Sequence, residues 1–187
     1  MLAMSAPPAA RRLPLERRDA LSSESTPGRG SEPGPAAARP RRVMAVASGG
    51  GHWVELRRLA AAFEGLDMVY VCAGAEPDLG PDPAPAAGGA SPARRYAVRN
   101  VTRRDRLGFA PLAWQILRIL ARERPDAVVS TGAAPGLVAL AAAKLLFRAR
   151  TVWIDSAANA ETLSLSGRLA RPVADLRLVQ WPHLARP

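Results

Sequence analysis

The sequence has a single cysteine, Cys72, among its 187 residues. No internal disulfide can form, which excludes stapled secreted scaffolds and agrees with a reducing, cytoplasmic setting. It has no uninterrupted run of about 18 apolar residues, so a conventional membrane-spanning helix is not expected. The start, Met1 to Leu15, lacks an apolar block followed by a small-residue cleavage site, which argues against a signal peptide. Phe and Tyr are scarce, three and two respectively, and no RNA-binding module is recognisable. Lysine is nearly missing too, with Lys144 the single one among 26 basic residues. An excess made of arginine reflects GC-rich codon usage as much as chemistry, so the net charge of +10 is weak support for nucleic-acid binding. The charge is also spread: the first 42 residues carry eight Arg against four acids, and the remainder eighteen basic residues against twelve.

What is present falls into two textures. Residues 1–42 are rich in Ala, Pro, Arg, Ser and Gly with few large apolar groups, and read as a disordered tail. Its arginine pairs, such as Arg11 with Arg12 and Arg41 with Arg42, could hold it near anionic headgroups or simply be solvated. At Val43 a domain begins that runs to residue 187. Buried-strand runs are expected at Val43–Ala47, Met68–Ala73, Ala127–Ser130 and Thr151–Asp155, with shorter strands at Tyr96–Val98 and Leu176–Gln180. Between them, helical spacing is expected over Trp53–Phe63, over Leu112–Arg122 with Leu112, Ile116, Ile119 and Leu120 inward, over Gly136–Phe147 and over Leu163–Ala170. The Gly- and Pro-rich stretch 74–93 reads as a long surface loop. Near-continuous apolar strands alternating with helices predict an α/β fold, a Rossmann-like parallel sheet covered on both faces. Right-handed crossovers then bring every strand-to-helix loop to one edge, where function is expected.

Three junctions on that edge carry unusual residues. In the first, Ser48, Gly49, Gly50 and Gly51 lead into a helix through His52, Trp53, Val54 and Glu55. Glycines let backbone N–H groups approach a ligand, and a helix start adds unpaired donors and partial positive charge, which suits a phosphate or diphosphate. It is not the spaced dinucleotide fingerprint, and glycine turns are common. His52 could serve as general base or phosphate donor, or merely pack at the helix start. Glu55 is a candidate catalytic carboxylate, or reaches back to the cap as in a capping box. In the second junction, Ser130, Thr131, Gly132 and Gly136 surround a Pro135 that fits a first helical turn. The third is Trp153-Ile154-Asp155-Ser156, where Asp155 could orient a sugar hydroxyl or a base, or cap the next segment.

These motifs in this order, continued by Ser166-Gly167-Arg168-Leu169, Pro172, Ala174-Asp175 and Val179-Gln180-Trp181-Pro182, resemble one glycosyltransferase family. The family is the accessory, membrane-recruiting subunit of the two-part N-acetylglucosaminyltransferase of asparagine-linked glycosylation, with bacterial PssD-type polysaccharide biosynthesis counterparts. The first motif is also similar to the glycine-rich loop of the MurG N-terminal domain. The resemblance spans Val43 to about Leu184.

It implies the N-terminal half of a GT-B glycosyltransferase, inactive alone. A PssE-like, donor-binding partner subunit would hold most of the UDP-sugar, with no cofactor or metal in this chain. The chain would present a polyprenyl-diphosphate-linked glycan acceptor at the cytoplasmic membrane face, for transfer of N-acetylglucosamine or glucuronic acid. Ser48, Gly49, Gly50, Gly51, Thr131, Gly132 and Gly136 would line the acceptor diphosphate site, and His52, Glu55 and Asp155 would be the catalytic candidates. Eukaryotic members carry an N-terminal membrane helix that this sequence lacks, so membrane contact would be peripheral. The arginine-flanked stretch from Arg103 to Arg124, with Leu107, Phe109, Leu112 and Trp114, could provide it, or could be a core helix with a solvated basic side. A noncatalytic anchor for the partner is the alternative function.

Overall fold

The computed structural model describes residues 41–74, 93–102 and 104–185. The tail expected over 1–42 and the loop expected over 74–93 thus lie, apart from their boundary residues, outside the described residues. Six strands, β1 (Arg42–Ser48), β2 (Asp67–Ala73), β3 (Arg94–Val98), β4 (Ala127–Ser130), β5 (Arg150–Ile154) and β6 (Leu176–Leu178), form one sheet in the order β3-β2-β1-β4-β5-β6. Every pairing is parallel. The chain reverses its direction of travel across the sheet between β1 and β4, and α/β sheets bind ligands above that point at the carboxyl edge.

The helices α1 (Gly51–Arg58), α2 (Phe109–Glu123), α3 (Ala133–Ala142) and α4 (Leu165–Leu169) connect the strands. Alternation along β1 divides the core. Met44 and Val46 face a cluster with Leu112, Ile116 and Leu120 of α2 and Leu140 of α3. Val43, Ala45 and Ala47 face the opposite cluster, with Trp53 and Leu56 of α1. Trp53 meets Tyr70 edge-on, ring centroids 5.9 Å apart. The four residues expected inward on α2 are all buried.

Several element boundaries differ from the sequence pattern, most by one to three residues, and those of α1, α3 and β1 bear on the site or its support. The helix expected over Trp53–Phe63 stops at Arg58, where the Leu59 N–H donates to Leu56 O, and a separate tight turn at Ala60–Phe63 follows. The third helix begins at Ala133 rather than Gly136, with Pro135 in its first turn, and its last turn, Ala143–Phe147, is wider than α. That turn closes at Arg148, which takes the left-handed conformation at φ 56° and donates its N–H to Ala143 O. Arg42, expected as the end of the tail, opens β1.

Arg42 belongs to an ionic cluster at the edge opposite the junctions. Its Nε donates to Asp67 Oδ2 at 2.7 Å and its Nη1 to Glu123 O at 2.6 Å. Arg94 pairs with Asp67 and, at 3.1 Å, with the buried Glu123, which also accepts from the Tyr96 hydroxyl at 2.5 Å. Burial works to raise the Asp67 carboxyl, but the bonds from Arg42 and Arg94 outweigh it and hold it below its ordinary value. The bond to Glu123 raises the Tyr96 phenol. Charges removed from water are tolerated here because each has a partner of opposite sign.

Candidate functional site

The three unusual junctions meet above β1 and β4. After β1, the Gly49 N–H donates to Ala73 O at 3.0 Å, and Gly50 turns the chain with φ 74° and ψ −135°, a conformation that glycine adopts without penalty. The helix α1 starts immediately, with Gly50 and Gly51 exposed. Its first N–H groups have no partner within the helix and face outward as donors.

After β4, Gly132 is extended into the positive region at φ 144° and Ala133 stands at φ 64°, a left-handed conformation costing an alanine about 1–2 kcal/mol. Strain of this kind persists only where the surrounding structure enforces it. Two contacts do so. The Gly132 N–H donates to Ser130 Oγ at 3.2 Å, and Gly136 packs so closely on Ser130 that an added Cβ would stand 1.8 Å from Oγ and 2.9 Å from Cβ.

Side chains lock the junctions to one another. Thr131 Oγ1 donates to His52 O at 2.8 Å, tying the end of β4 to the start of α1. The His52 ring lies over Gly132, where an added Cβ would come within 2.7 Å of Cε1. Glu55 Oε1 accepts from Ser156 Oγ at 2.7 Å and from the Ala157 N–H at 2.9 Å, tying α1 to the segment after β5. The capping-box reading of Glu55 is therefore corrected: the cap is Gly50, which has no side chain to exchange bonds, and the carboxylate turns to the third junction instead.

Asp155 is 2% exposed and its carboxylate is held within the protein. It accepts from Ser164 Oγ at 2.7 Å, from the Ser164 N–H at 3.1 Å and from Trp153 Nε1 at 3.3 Å. Ser164 in turn accepts from the Gly167 N–H at 2.8 Å as the cap of α4. Asp155 thus supports the floor beneath the cleft and is not among the residues that line it.

The cleft itself has a volume of about 410 Å³. His52, Ala133 and Ala134 come from the first two junctions, Ser156, Ala158 and Asn159 from the third, Ser164, Leu165 and Ser166 from the α4 start, and Val101 and Thr102 from the segment after β3. Among the described residues, no arginine or lysine lines it. Its attraction for an anion would come from the starts of α1 and α3 and from hydroxyl donors, which suits close contact with phosphate oxygens. Cys72 is buried, and burial pushes its thiol up, away from nucleophilic use.

Of the residues expected to form the site, His52 alone lines the cleft; Glu55, Thr131 and Gly132 stand against His52 from behind, Ser48 ends β1, and Gly49, Gly50, Gly51 and Gly136 shape the turns. Sequence reasoning did not single out Ser164, Asn159 or Thr102, and it named Ser166 only as part of a family motif, without a place in the site. Ser164 carried a signal, as a serine preceding a short apolar helical segment, whereas Thr102 sits in a segment without any motif.

Comparisons with known proteins bear on the family and the fold. Residues 109–187, from α2 onward, match the family model described as oligosaccharide biosynthesis protein Alg14 like. A protein named UDP-N-acetylglucosamine transferase subunit ALG14, from Eremothecium gossypii, is 34% identical over 173 residues, covering 79% of this chain and 75% of that protein. Among solved structures, Acinetobacter baumannii MurG superposes with a TM-score of 0.55 at 15% identity, over 79% of this chain and 44% of MurG. The UDP-GlcNAc 2-epimerase of Methanocaldococcus jannaschii gives 0.53 at 13% identity, over 74% of this chain and 39% of that chain. The chain spans less than half of either structure, as one Rossmann-like unit of a two-unit GT-B fold does. With the sequence relationship extending over three quarters of the relative and the fold in agreement, the chain belongs to the Alg14-like family of oligosaccharide biosynthesis proteins.

Proposed function

We propose that this protein is the acceptor-binding half of a two-subunit glycosyltransferase, which presents a polyprenyl-diphosphate-linked sugar to a partner carrying a UDP-sugar, with N-acetylglucosamine as the group transferred. The observation that carries this reading is the convergence of two glycine-entered helix starts and His52 on one cleft at the strand-order reversal. The name of the Eremothecium relative, a UDP-N-acetylglucosamine transferase subunit, favours that sugar over glucuronic acid.

The acceptor diphosphate would lie against the N–H groups at the starts of α1 and α3. Its sugar hydroxyl would then stand near His52, which takes the proton as the hydroxyl oxygen bonds to the donor's anomeric carbon and UDP departs with the electron pair. The partner subunit would close the other wall and stabilise the leaving diphosphate.

Membrane contact fits one surface. None of the helices among the described residues is long and apolar enough to cross a membrane. Leu107 and Trp114 are 90% and 63% exposed, flanked by exposed Arg104, Arg106 and Arg118. The nearby carboxylates are engaged: Asp105 accepts from the Gly108 N–H at 2.9 Å and pairs with Arg99, and Glu123 is buried. An apolar tip with an uncompensated basic surround matches an anionic leaflet. The same segment begins with Val101 and Thr102 in the cleft wall, so lipid contact would set the cleft beside the membrane.

The test is reconstitution. The purified chain should bind a polyprenyl-diphosphate-GlcNAc acceptor yet transfer nothing from UDP-GlcNAc, and a mixture with the partner captured from native membranes should transfer. Turnover by the chain alone would refute the two-subunit reading, and no acceptor binding would leave the chain a pure anchor.

A further inference from the structure

We propose that Glu55 is a positioning residue that holds the neutral His52 ring in the Nδ1–H form, with Ser156 and the Ala157 N–H holding Glu55 in turn, so that Nε2 keeps its lone pair toward the cleft. The proposal rests on the reading of the cleft as an acceptor site, but its geometry stands on its own.

His52 Nδ1 is buried and has no hydrogen-bond partner among the described residues. The ionisable group beside it is Glu55 Oε2, at 3.7 Å, one turn along α1. That is longer than a hydrogen bond, and closing it requires a shift of roughly 0.5–1 Å to reach the ordinary range. Catalytic hydrogen bonds are often loose in unliganded sites and tighten around substrate.

The carboxylate cannot turn away freely. Its other oxygen, Oε1, already accepts from Ser156 Oγ and the Ala157 N–H, which leaves Oε2 for the ring. An ionised carboxylate only accepts, so it selects a proton on the nitrogen it faces. Below the ring, Gly132 leaves no room for a Cβ, whose position would be 2.8 Å from Nδ1, and this keeps the imidazole flat against the second junction. The ring nitrogen remaining for the cleft is Nε2, on a side chain 29% exposed.

The consequence for transfer balances. The acceptor hydroxyl proton moves to Nε2, the hydroxyl oxygen forms the new bond to the anomeric carbon of the UDP-sugar, and UDP leaves with the electrons of the broken bond. The ring then bears a positive charge that the Glu55 carboxylate offsets until the proton passes to water.

The 187-residue chain has only His52 and His183, so nitrogen-15 NMR reads the tautomer directly. His183→Gln assigns the signals. At a pH about two units above the reference imidazole value, His52 should be in the Nδ1–H form, and Glu55→Ala should convert it to the Nε2–H form that free imidazole side chains prefer. Ser156→Ala, which keeps the carboxylate, should give a mixture, and it decides the matter with the wild-type spectrum if Glu55→Ala does not fold. In the reconstituted enzyme Glu55→Ala should lower kcat about 10- to 100-fold with little change in acceptor KM, the size of effect seen when the hydrogen-bond partners that orient metal-ligating histidines are lost. A wild-type Nε2–H form, or a tautomer indifferent to both variants, overturns the proposal. Retained turnover in His52→Ala would instead refute the catalytic reading of the cleft while leaving the tautomer assignment intact.

Discussion

Gly132 lies directly beneath the His52 imidazole, so close that a Cβ on Gly132 would meet Cε1 at 2.7 Å and Nδ1 at 2.8 Å. The residue is also held at φ 144°, which L side chains rarely adopt. Gly132→Ala should therefore displace the ring as well as strain the turn. We expect a loss of at least about tenfold in transfer by the reconstituted pair and about 1–3 kcal/mol of stability, read from kinetics and urea denaturation of the same preparation.

Gly136 should be sensitive for a different reason. Its partner is Ser130, and a Cβ would lie 1.8 Å from Oγ and 2.9 Å from the Ser130 Cβ. A rotamer change relieves the first clash but not the second. Gly136→Ala should cost about 1–3 kcal/mol, the usual penalty of overpacking. The double variant with Ser130→Gly should recover part of it, and a double-mutant cycle in urea measures how much.

Asp155→Ala removes the acceptor of three bonds, from Trp153 Nε1 and from the hydroxyl and N–H of Ser164. We expect about 2–3 kcal/mol of destabilisation, in line with bonds to a charged group. Because Asp155 is not a lining residue, acceptor affinity of the folded fraction should fall by no more than a few-fold. A selective loss of binding with unchanged stability would assign the carboxylate a direct role.

Acid should unfold the protein through Asp67 and Asp175. Both carboxyls are held below their ordinary value: Asp67 by Arg42 and Arg94 against the opposing effect of burial, Asp175 by its bond from Lys144 and by the Thr151 N–H. A carboxyl with a lower value folded than unfolded contributes stability above the unfolded value, near 3.9, and loses it as pH falls through the folded one. The urea midpoint should therefore drop below about pH 4, and Asp175→Asn should flatten that decline.

Leu107→Ser combined with Trp114→Ser should reduce flotation of the protein with vesicles containing anionic lipid, leaving acceptor binding in detergent unchanged. Arg106→Gln with Arg118→Gln should weaken flotation more at low salt than at high salt, as expected for charge attraction to a leaflet.

Much of the scaffold was legible because burial imposes a period. The inward set on α2, Leu112, Ile116, Ile119 and Leu120, follows from 3.6-residue spacing, and the run Ala127–Ser130 follows from burial on both faces. The start of α3 was not, because Ala133 enters through a left-handed residue that nothing in its own chemistry announces. The glycine loop with His52 was visible as a motif, and so was the idea that three junctions share an edge. The partner of Glu55 was not: local pattern favoured a cap three residues back, whereas Ser156 reaches it across 101 positions. Interactions at that separation depend on strand order, which no single segment encodes.

That separation has a kinetic meaning. The bond between Ser156 and Glu55 can form only after β1, β4 and β5 have registered, because Glu55 follows β1, Ser156 follows β5, and β4 lies between those strands. Parallel pairings close large chain loops and come together slowly. The groups around His52 should therefore acquire protection from solvent exchange late in refolding, and a nascent chain released before β5 would own a glycine turn without the strut that steadies it.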